Sequence, residues 1–388
     1  MSVTRPSGFA ATGVTAGLKE SGKPDLALVF NYGPHSAAAG VFTSNRVQAA
    51  PVVWTRQVLR DHALQAVILN SGGANACTGS GGFADTHHTA EAVASALRGA
   101  GHHVGPIDVA VCSTGLIGVR LELGKITAAI PELVASLSAD GGTAAAAAIM
   151  TTDTVTKEAV AERNGWSVGG MAKGAAMLAP GLATMLAVIT TDAVVDPTTL
   201  SDGLVEAVSL TFDRVDSDGC MSTNDTVLLL SSGASGIEPD PAELISALTQ
   251  VCDDLARQLV ADAEGSSHTI TIGVVNAASE DDAVEVARSI ARNNLFKCAV
   301  FGNDPNWGRV LAAVGTTAAT FEPDELDVSF NGVQVCRAGG IGDSRDLVDL
   351  TGREVALEID LHAGDHRARI WTTDLTYEYV RENAEYST

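Results

Sequence analysis

Short apolar runs alternate along this chain with longer stretches in which apolar residues recur at helical spacing. Residues 26–30, 66–70, 109–112, 184–189, 227–230 and 269–275 are compact and rich in Val, Ile and Leu. Turn-forming residues bound most of them, which is the pattern of buried strands. Between them, residues 83–98, 121–137, 200–210, 242–261 and 281–291 carry the spacing of helices. Two of these have start signals: Asp240 before Pro241 with Glu243 three residues on, and Ser279 with Asp282. Residues 144–148 are all alanine, which is good helix material. From residue 326 the runs shorten to 326–330, 333–336, 355–359 and 368–371, which predicts an antiparallel sheet at the C-terminal end. Strands mixed with helices place the chain in the α/β or α+β class.

Bulk properties narrow the function. At 388 residues the chain can bury a large core, and no Pro/Ser linker or internal repeat divides it. The net charge of −23 argues against nucleic acid or an anionic membrane as partner, because both require a basic face. The six cysteines show no C-x-x-C pair, and Cys112 and Cys298 lie in apolar runs that predict buried thiols. Scattered cysteines fit a reducing cytoplasm. The first 18 residues lack a leader pattern, and no apolar run approaches membrane-spanning length. His87-His88 and His102-His103 are adjacent pairs expected at the surface, and no metal-ligand spacing is present.

The candidate chemistry centres on the stretch from Lys173 to Leu186. Small residues lead through Pro180 and Gly181 into an apolar strand, so Thr184 sits where a loop becomes strand. Two readings stand side by side. Thr184 is an ordinary strand residue, or the chain cuts itself between Ala183 and Thr184 and frees an amine that can take the proton of its own hydroxyl. Other polar loops also follow strands or helices, where sites are built. Asn70 to Ala76 could line an anion site or serve only as a glycine turn. In Ser113-Thr114-Gly115-Leu116-Ile117-Gly118, the Thr114 hydroxyl and Gly115 amide could form an oxyanion hole, or a plain turn. Thr151, Thr152 and Asp153 suit an amino-acid substrate as well as a helix cap. Glu264 could pair with a substrate ammonium or lie solvated. The loop Asp304-Pro305-Asn306-Trp307-Gly308-Arg309 reads as a structural corner opening a helix, and the final residues as a polar end.

Five segments in order resemble the ornithine acetyltransferase family, the glutamate N-acetyltransferases of arginine biosynthesis. They are Ser113 to Gly118, Lys173-Gly174 through Ala183-Thr184-Met185-Leu186, Ser222-Thr223-Asn224-Asp225, Asp304 to Arg309, and the C-terminal Tyr386-Ser387-Thr388. The resemblance implies a layered α-β-β-α sandwich of the DmpA type, similar to N-terminal-nucleophile hydrolases. It further implies self-cleavage into an α chain, residues 1–183, and a β chain, residues 184–388, assembled as two of each. By motif, Thr184 would be the nucleophile and Thr114 with Gly115 the oxyanion hole. Lys173, Thr151 and above all Thr152 would contact substrate. Glu264 would meet the ammonium, and Asn383 with Thr388 would close the site. The reaction so implied moves acetyl from N-acetylornithine to glutamate through an acetyl-enzyme. It needs no cofactor, and acetyl-CoA remains open as a further donor. Gly73, Ala176, Cys220 and Ser387 depart from the family's usual residues, which bears on fine substrate contacts.

Two rival readings are kept. A self-processing aminopeptidase or amidase would pass the acyl group to water, and a non-catalytic amino-acid-binding protein would leave Thr184 as a strand residue only.

Overall fold

The computed structural model describes residues 2–179 and 185–385. The chain opens with β1 (Phe9–Val14), β2 (Leu26–Asn31), β3 (Ala38–Phe42), α1 (Ala50–Val58), β4 (Ala66–Ser71), α2 (Gly79–Gly99) and β5 (Val109–Thr114). Next come α3 (Leu123–Ala135), α4 (Gly142–Ala148), β6 (Lys157–Glu162), β7 (Ser167–Lys173), β8 (Leu186–Thr191), α5 (Pro197–Leu210), β9 (Thr226–Ser231) and α6 (Pro241–Ala261). The remainder holds β10 (Thr269–Ala277), α7 (Glu280–Ala291), α8 (Asn294–Phe301), α9 (Trp307–Val314), β11 (Asp327–Phe330) and β12 (Val333–Arg337). It ends with β13 (Gly340–Ile341), β14 (Glu354–Asp360), β15 (His366–Thr373) and α10 (Tyr377–Glu385).

Two sheets make the central sandwich. One runs β1-β2-β4-β5 and the other β3-β9-β8-β7-β6. Strand alternation decides how they meet. In β8, Leu186 and Val188 face the first sheet, while Ala187 and Ile189 face α5 and α6; in β9, Leu228 and Leu230 oppose Val227 and Leu229 in the same way. Helices α2 and α3 cover the far side of the first sheet. The order is therefore helix, sheet, sheet, helix, and the α/β expectation holds with the layering that the resemblance implied. Asp240 and Ser279 cap α6 and α7 through the amides of Ala242 and Asp282, as the sequence predicts.

Strands from both halves of the chain interleave in the five-stranded sheet. β7 pairs antiparallel with β8, Lys173 standing opposite Leu186, and β3 pairs antiparallel with β9. The third sheet, β13-β12-β11-β14-β10-β15, packs one face on α7 and α9 around its own apolar core.

Two expectations need correction. The C-terminal sheet is not wholly antiparallel: β11, β12 and β14 pair antiparallel with one another, but β14 also lies parallel to the earlier β10, from which α7, α8, α9 and β11 to β13 separate it in the chain. Cys298 is exposed rather than buried, because α8 turns Phe296, Lys297 and Val300 inward and Cys298 out. Residues Tyr377–Glu385 form α10, which carries Asn383. Both histidine pairs are exposed as expected. Among the described residues no helix is long and apolar enough to cross a membrane.

Candidate functional site

The first wall of the site is the end of β5. Thr114 is its last residue and is buried, and Gly115 follows with φ +126°, a conformation that strains any residue with a Cβ. A Cβ at Gly115 would lie 2.6 Å from the Gly73 nitrogen, so the glycine also permits two loops to touch. That contact is tied by Gly73 N–H to the Thr114 carbonyl at 3.0 Å. Ser113 Oγ donates to Asn70 Oδ1 at 2.6 Å, and Asn224 Nδ2 donates to the Ser113 and Ala74 carbonyls at 2.8 and 2.6 Å. The loop at Asn70 to Ala76 thus braces the Thr114 turn. A Cβ at Gly73 would meet Leu121 Cδ2 at 2.6 Å.

The second wall is the end of β7. Lys173 is fully buried, and its Nζ donates to Thr114 Oγ1 at 3.3 Å. With that oxygen already accepting, the Thr114 O–H is left to point elsewhere as a donor. Burial pushes the Lys173 ammonium below its ordinary value, and the neighbouring Asp153 charge works against that shift. Asp153 itself is disfavoured as an anion by burial, yet Lys173, Lys157 and the Gly174 amide hold its carboxyl down at about 2.

A third contribution comes from the turn after α6 and from α10. Glu264 is half-buried, its N–H donates to the Ala175 carbonyl at 2.8 Å, and its Oε2 accepts from Asn383 Nδ2 at 3.0 Å. Thr376 Oγ1 donates to the Gly265 carbonyl at 2.6 Å and seats the start of α10 against this turn.

These walls enclose a cavity of about 200 Å³ lined by Thr114, Gly115, Thr151, Thr152, Lys173, Glu264 and Asn383, with Ala176 and Cys220 also on its surface. Every predicted substrate or oxyanion residue among the described ones is therefore in one place. It holds the buried Lys173 amine and the half-buried Glu264 carboxyl, groups of the kind that meet an amino acid's carboxylate and ammonium. A wider groove of about 690 Å³ adjoins it and shares Thr151, Thr152, Glu264 and Asn383. Ala183, Thr184, Ser387 and Thr388 lie outside the described residues. Met185, which follows Thr184, is buried; its N–H donates to Asp225 Oδ1 at 3.0 Å and its carbonyl accepts from Thr226 N–H at 3.2 Å.

Several site residues escaped the sequence reading. Tyr379 lines the cavity from α10, and burial followed by the charges of Asp218 and Glu264 raises its phenol to about 12. Asp225 is wholly buried, and burial raises its carboxyl well above the usual range, with hydrogen bonds from the Met185 amide and the Ser222 side chain working against that shift. Its presence in the Ser222-Thr223-Asn224-Asp225 segment was the available signal. The Asp304–Arg309 segment, by contrast, is a structural corner as expected: Asn306 caps α9 through the Arg309 amide. Among the described residues no three His, Cys, Asp or Glu converge as a metal site.

Comparison with known proteins places this geometry among relatives. The pattern of the ArgJ family matches residues 10–388. The arginine biosynthesis bifunctional protein ArgJ of Streptomyces coelicolor is 62% identical over 388 residues, with all of both chains covered. Its namesake in Thermobifida fusca is 58% identical over 388 residues, again with both chains fully covered. A crystal structure of ornithine acetyltransferase complexed with ornithine from Mycobacterium tuberculosis is 59% identical with a TM-score of 0.46, covering 48% of this chain and 96% of that one.

Proposed function

The chain belongs to the ArgJ family, and from that premise we propose that it transfers an acetyl group from N2-acetyl-L-ornithine to L-glutamate in arginine biosynthesis. The chain first cuts itself. The Thr184 hydroxyl oxygen bonds to the Ala183 carbonyl carbon, the peptide C–N bond breaks, and the hydroxyl proton ends on the freed nitrogen. Water then hydrolyses the resulting ester and leaves Thr184 with a free amine. In turnover that amine takes the hydroxyl proton as Thr184 Oγ attacks the acetyl carbonyl, and Thr114 with Gly115 stabilises the oxyanion. The C–N bond to ornithine breaks as the Thr184 amine passes its proton to the leaving nitrogen. Glutamate then enters with a neutral α-amine, its nitrogen bonds to the acetyl carbon, the Thr184 Oγ–C bond breaks, and the amine's proton restores the Thr184 hydroxyl. The kinetics are ping-pong, no cofactor is required, and acetyl-CoA is a second donor in a bifunctional enzyme.

Lys173 takes the substrate carboxylate with Thr152 beside it, and Glu264 takes the δ-ammonium of N-acetylornithine, with Asn383 and Thr388 closing the end. The two fragments stay together through β7–β8 and β3–β9 pairing, and assemble as α2β2 in the cytoplasm. The observation that carries this reading is the gathering of Thr114, Gly115, Thr152, Lys173, Glu264 and Asn383 around one small cavity. Ornithine release from N-acetylornithine, measured with and without glutamate, tests it. Release that depends on glutamate supports the transferase; the same release without glutamate would make the enzyme an amidase.

A further inference from the structure

Asn224 and Asp225 are consecutive residues at the entry to β9, and both are buried. Their side chains serve opposite neighbours, as alternation along an extended chain allows. Asn224 Nδ2 donates to the Ser113 and Ala74 carbonyls at 2.8 and 2.6 Å; Ser113 precedes Thr114, and Ala74 lies in the loop that braces it. The Thr223 hydroxyl donates to Asn224 Oδ1, which fixes the end of the amide that faces those carbonyls. On the other side, Asp225 Oδ1 accepts the Met185 N–H at 3.0 Å. β8 and β9 run parallel with Leu186 opposite Thr226, and the Thr226 N–H meets the Met185 carbonyl at 3.2 Å. The carboxyl therefore adds one more rung where β8 begins, on the nitrogen covalently joined to Thr184. The segment is itself anchored to the N-terminal half. Thr43 N–H meets the Asp225 carbonyl at 3.0 Å, Thr43 Oγ1 the Ser222 carbonyl at 2.7 Å, and Ala49 N–H the Thr223 carbonyl at 3.0 Å.

We infer that Asn224 and Asp225 are paired positioning residues that set the separation between the nucleophile at Thr184 and the oxyanion hole at Thr114 and Gly115. The inference rests on the transferase reading for the identity of those groups. β5, which ends at Thr114, and β8 belong to different sheets, so strand pairing does not set this distance. The link that does runs from the Ser113 carbonyl through two adjacent side chains to the Met185 N–H, with only one planar peptide between the two residues. Both of its ends are main-chain atoms, one residue away from Thr114 and from Thr184. The Lys173 contact to Thr114 Oγ1, at 3.3 Å, is longer and ends on a rotatable hydroxyl. Each side chain also has the chemistry its end requires: an amide nitrogen donates to two carbonyls, and a carboxyl oxygen accepts an N–H. Substrate binding is left to other residues of the cavity, so the link acts on the alignment of the reacting groups rather than on affinity.

The test is the single-turnover rate of Thr184 acetylation by N-acetylornithine, read by mass after acid quenching and expressed per cut chain, beside ornithine binding by calorimetry. Asn224→Ala and Asp225→Ala should each slow acetylation by about 10²-fold and leave the ornithine Kd near the parent's. A merely structural role would lower the folded fraction and leave the rate per cut chain unchanged. Asp225→Asn keeps an oxygen for the Met185 N–H and should recover about tenfold or more over Asp225→Ala. Asn224→Asp loses the donor nitrogen and should stay slow. The double Ala variant should be no slower than the slower single one, because either break already frees the same separation. Parent-like rates in both Ala variants, no recovery in Asp225→Asn, or losses that multiply in the double variant would overturn the inference. If an Ala variant does not fold or is not cut, the two near-isosteric variants decide: Asp225→Asn faster than Asn224→Asp is expected, and equal rates overturn it. A parent that forms no acetyl-enzyme would refute the transferase reading. Hydrogen exchange at the Met185 amide then decides on the link, with protection lost in Asp225→Ala and kept in Asp225→Asn as the expected result and unchanged protection in Asp225→Ala as the contrary one.

Discussion

The sandwich seam and the C-terminal sheet follow the same pleat but treat charge in opposite ways. In β14, Glu354 and Glu358 lie exposed while Val355, Leu357 and Ile359 fill an apolar core. In β7 all seven residues are buried, Lys173 included, and β6 opens on the buried Lys157. A lysine in such a place costs several kcal/mol unless another charge or polar group meets it. The C-terminal sheet avoids that cost and serves as scaffold: β15 leads to Asp374, which holds the Ser267 and His268 amides at 3.0 Å, and α10 then returns to the cavity. At the seam the buried lysines lie on the strands themselves, beside the cavity, whereas around the C-terminal sheet buried charge sits off the strands, in Lys297 of α8 and in Asp374 after β15.

The sharpest way to break this contrast is Thr184→Ala, which should yield one uncut chain by intact mass and reduce transfer by roughly 10³-fold or more. Gly115→Ala comes next. Its Cβ cannot fit against Gly73 without moving the oxyanion turn, so kcat should fall by about 10² to 10³ with circular dichroism unchanged. In the scaffold the pattern should reverse: Leu357→Ala should cost about 2–5 kcal/mol in urea unfolding while the folded fraction keeps its kcat. Smallest of all is Arg345→Ala, which removes an exposed contact with Asp304 at 3.6 Å and should change stability by less than about 1 kcal/mol and transfer not at all.

Much of the fold was legible because compact apolar runs bounded by turn residues announce buried strands. The runs in β2, β4, β5, β9 and β10 fall on strands, and the helices over 83–98, 121–137, 200–210, 242–261 and 281–291 are present with bounds shifted by a few residues. β7 escaped because Gly169, Gly170 and a terminal lysine disguise a buried strand, and β6 because charged residues occupy its first, second and last positions. Each site motif taken alone admitted a plain structural reading. What decides among those readings is non-local: Lys173 meets Thr114 across 59 positions, and Lys157 meets Asp262 across 105. Asn224 and Asp225 could be noticed in their loop, but their role depends on partners that only the fold brings near.

The most direct test of the account is the intact mass of acid-quenched protein after exposure to N-acetylornithine alone, repeated after glutamate is added. The account predicts two fragments divided between Ala183 and Thr184. The fragment that begins at Thr184 should carry one acetyl group, and glutamate should discharge it as N-acetylglutamate. A single uncut chain from folded protein, or a fragment that never becomes acetylated while ornithine is released, would contradict it.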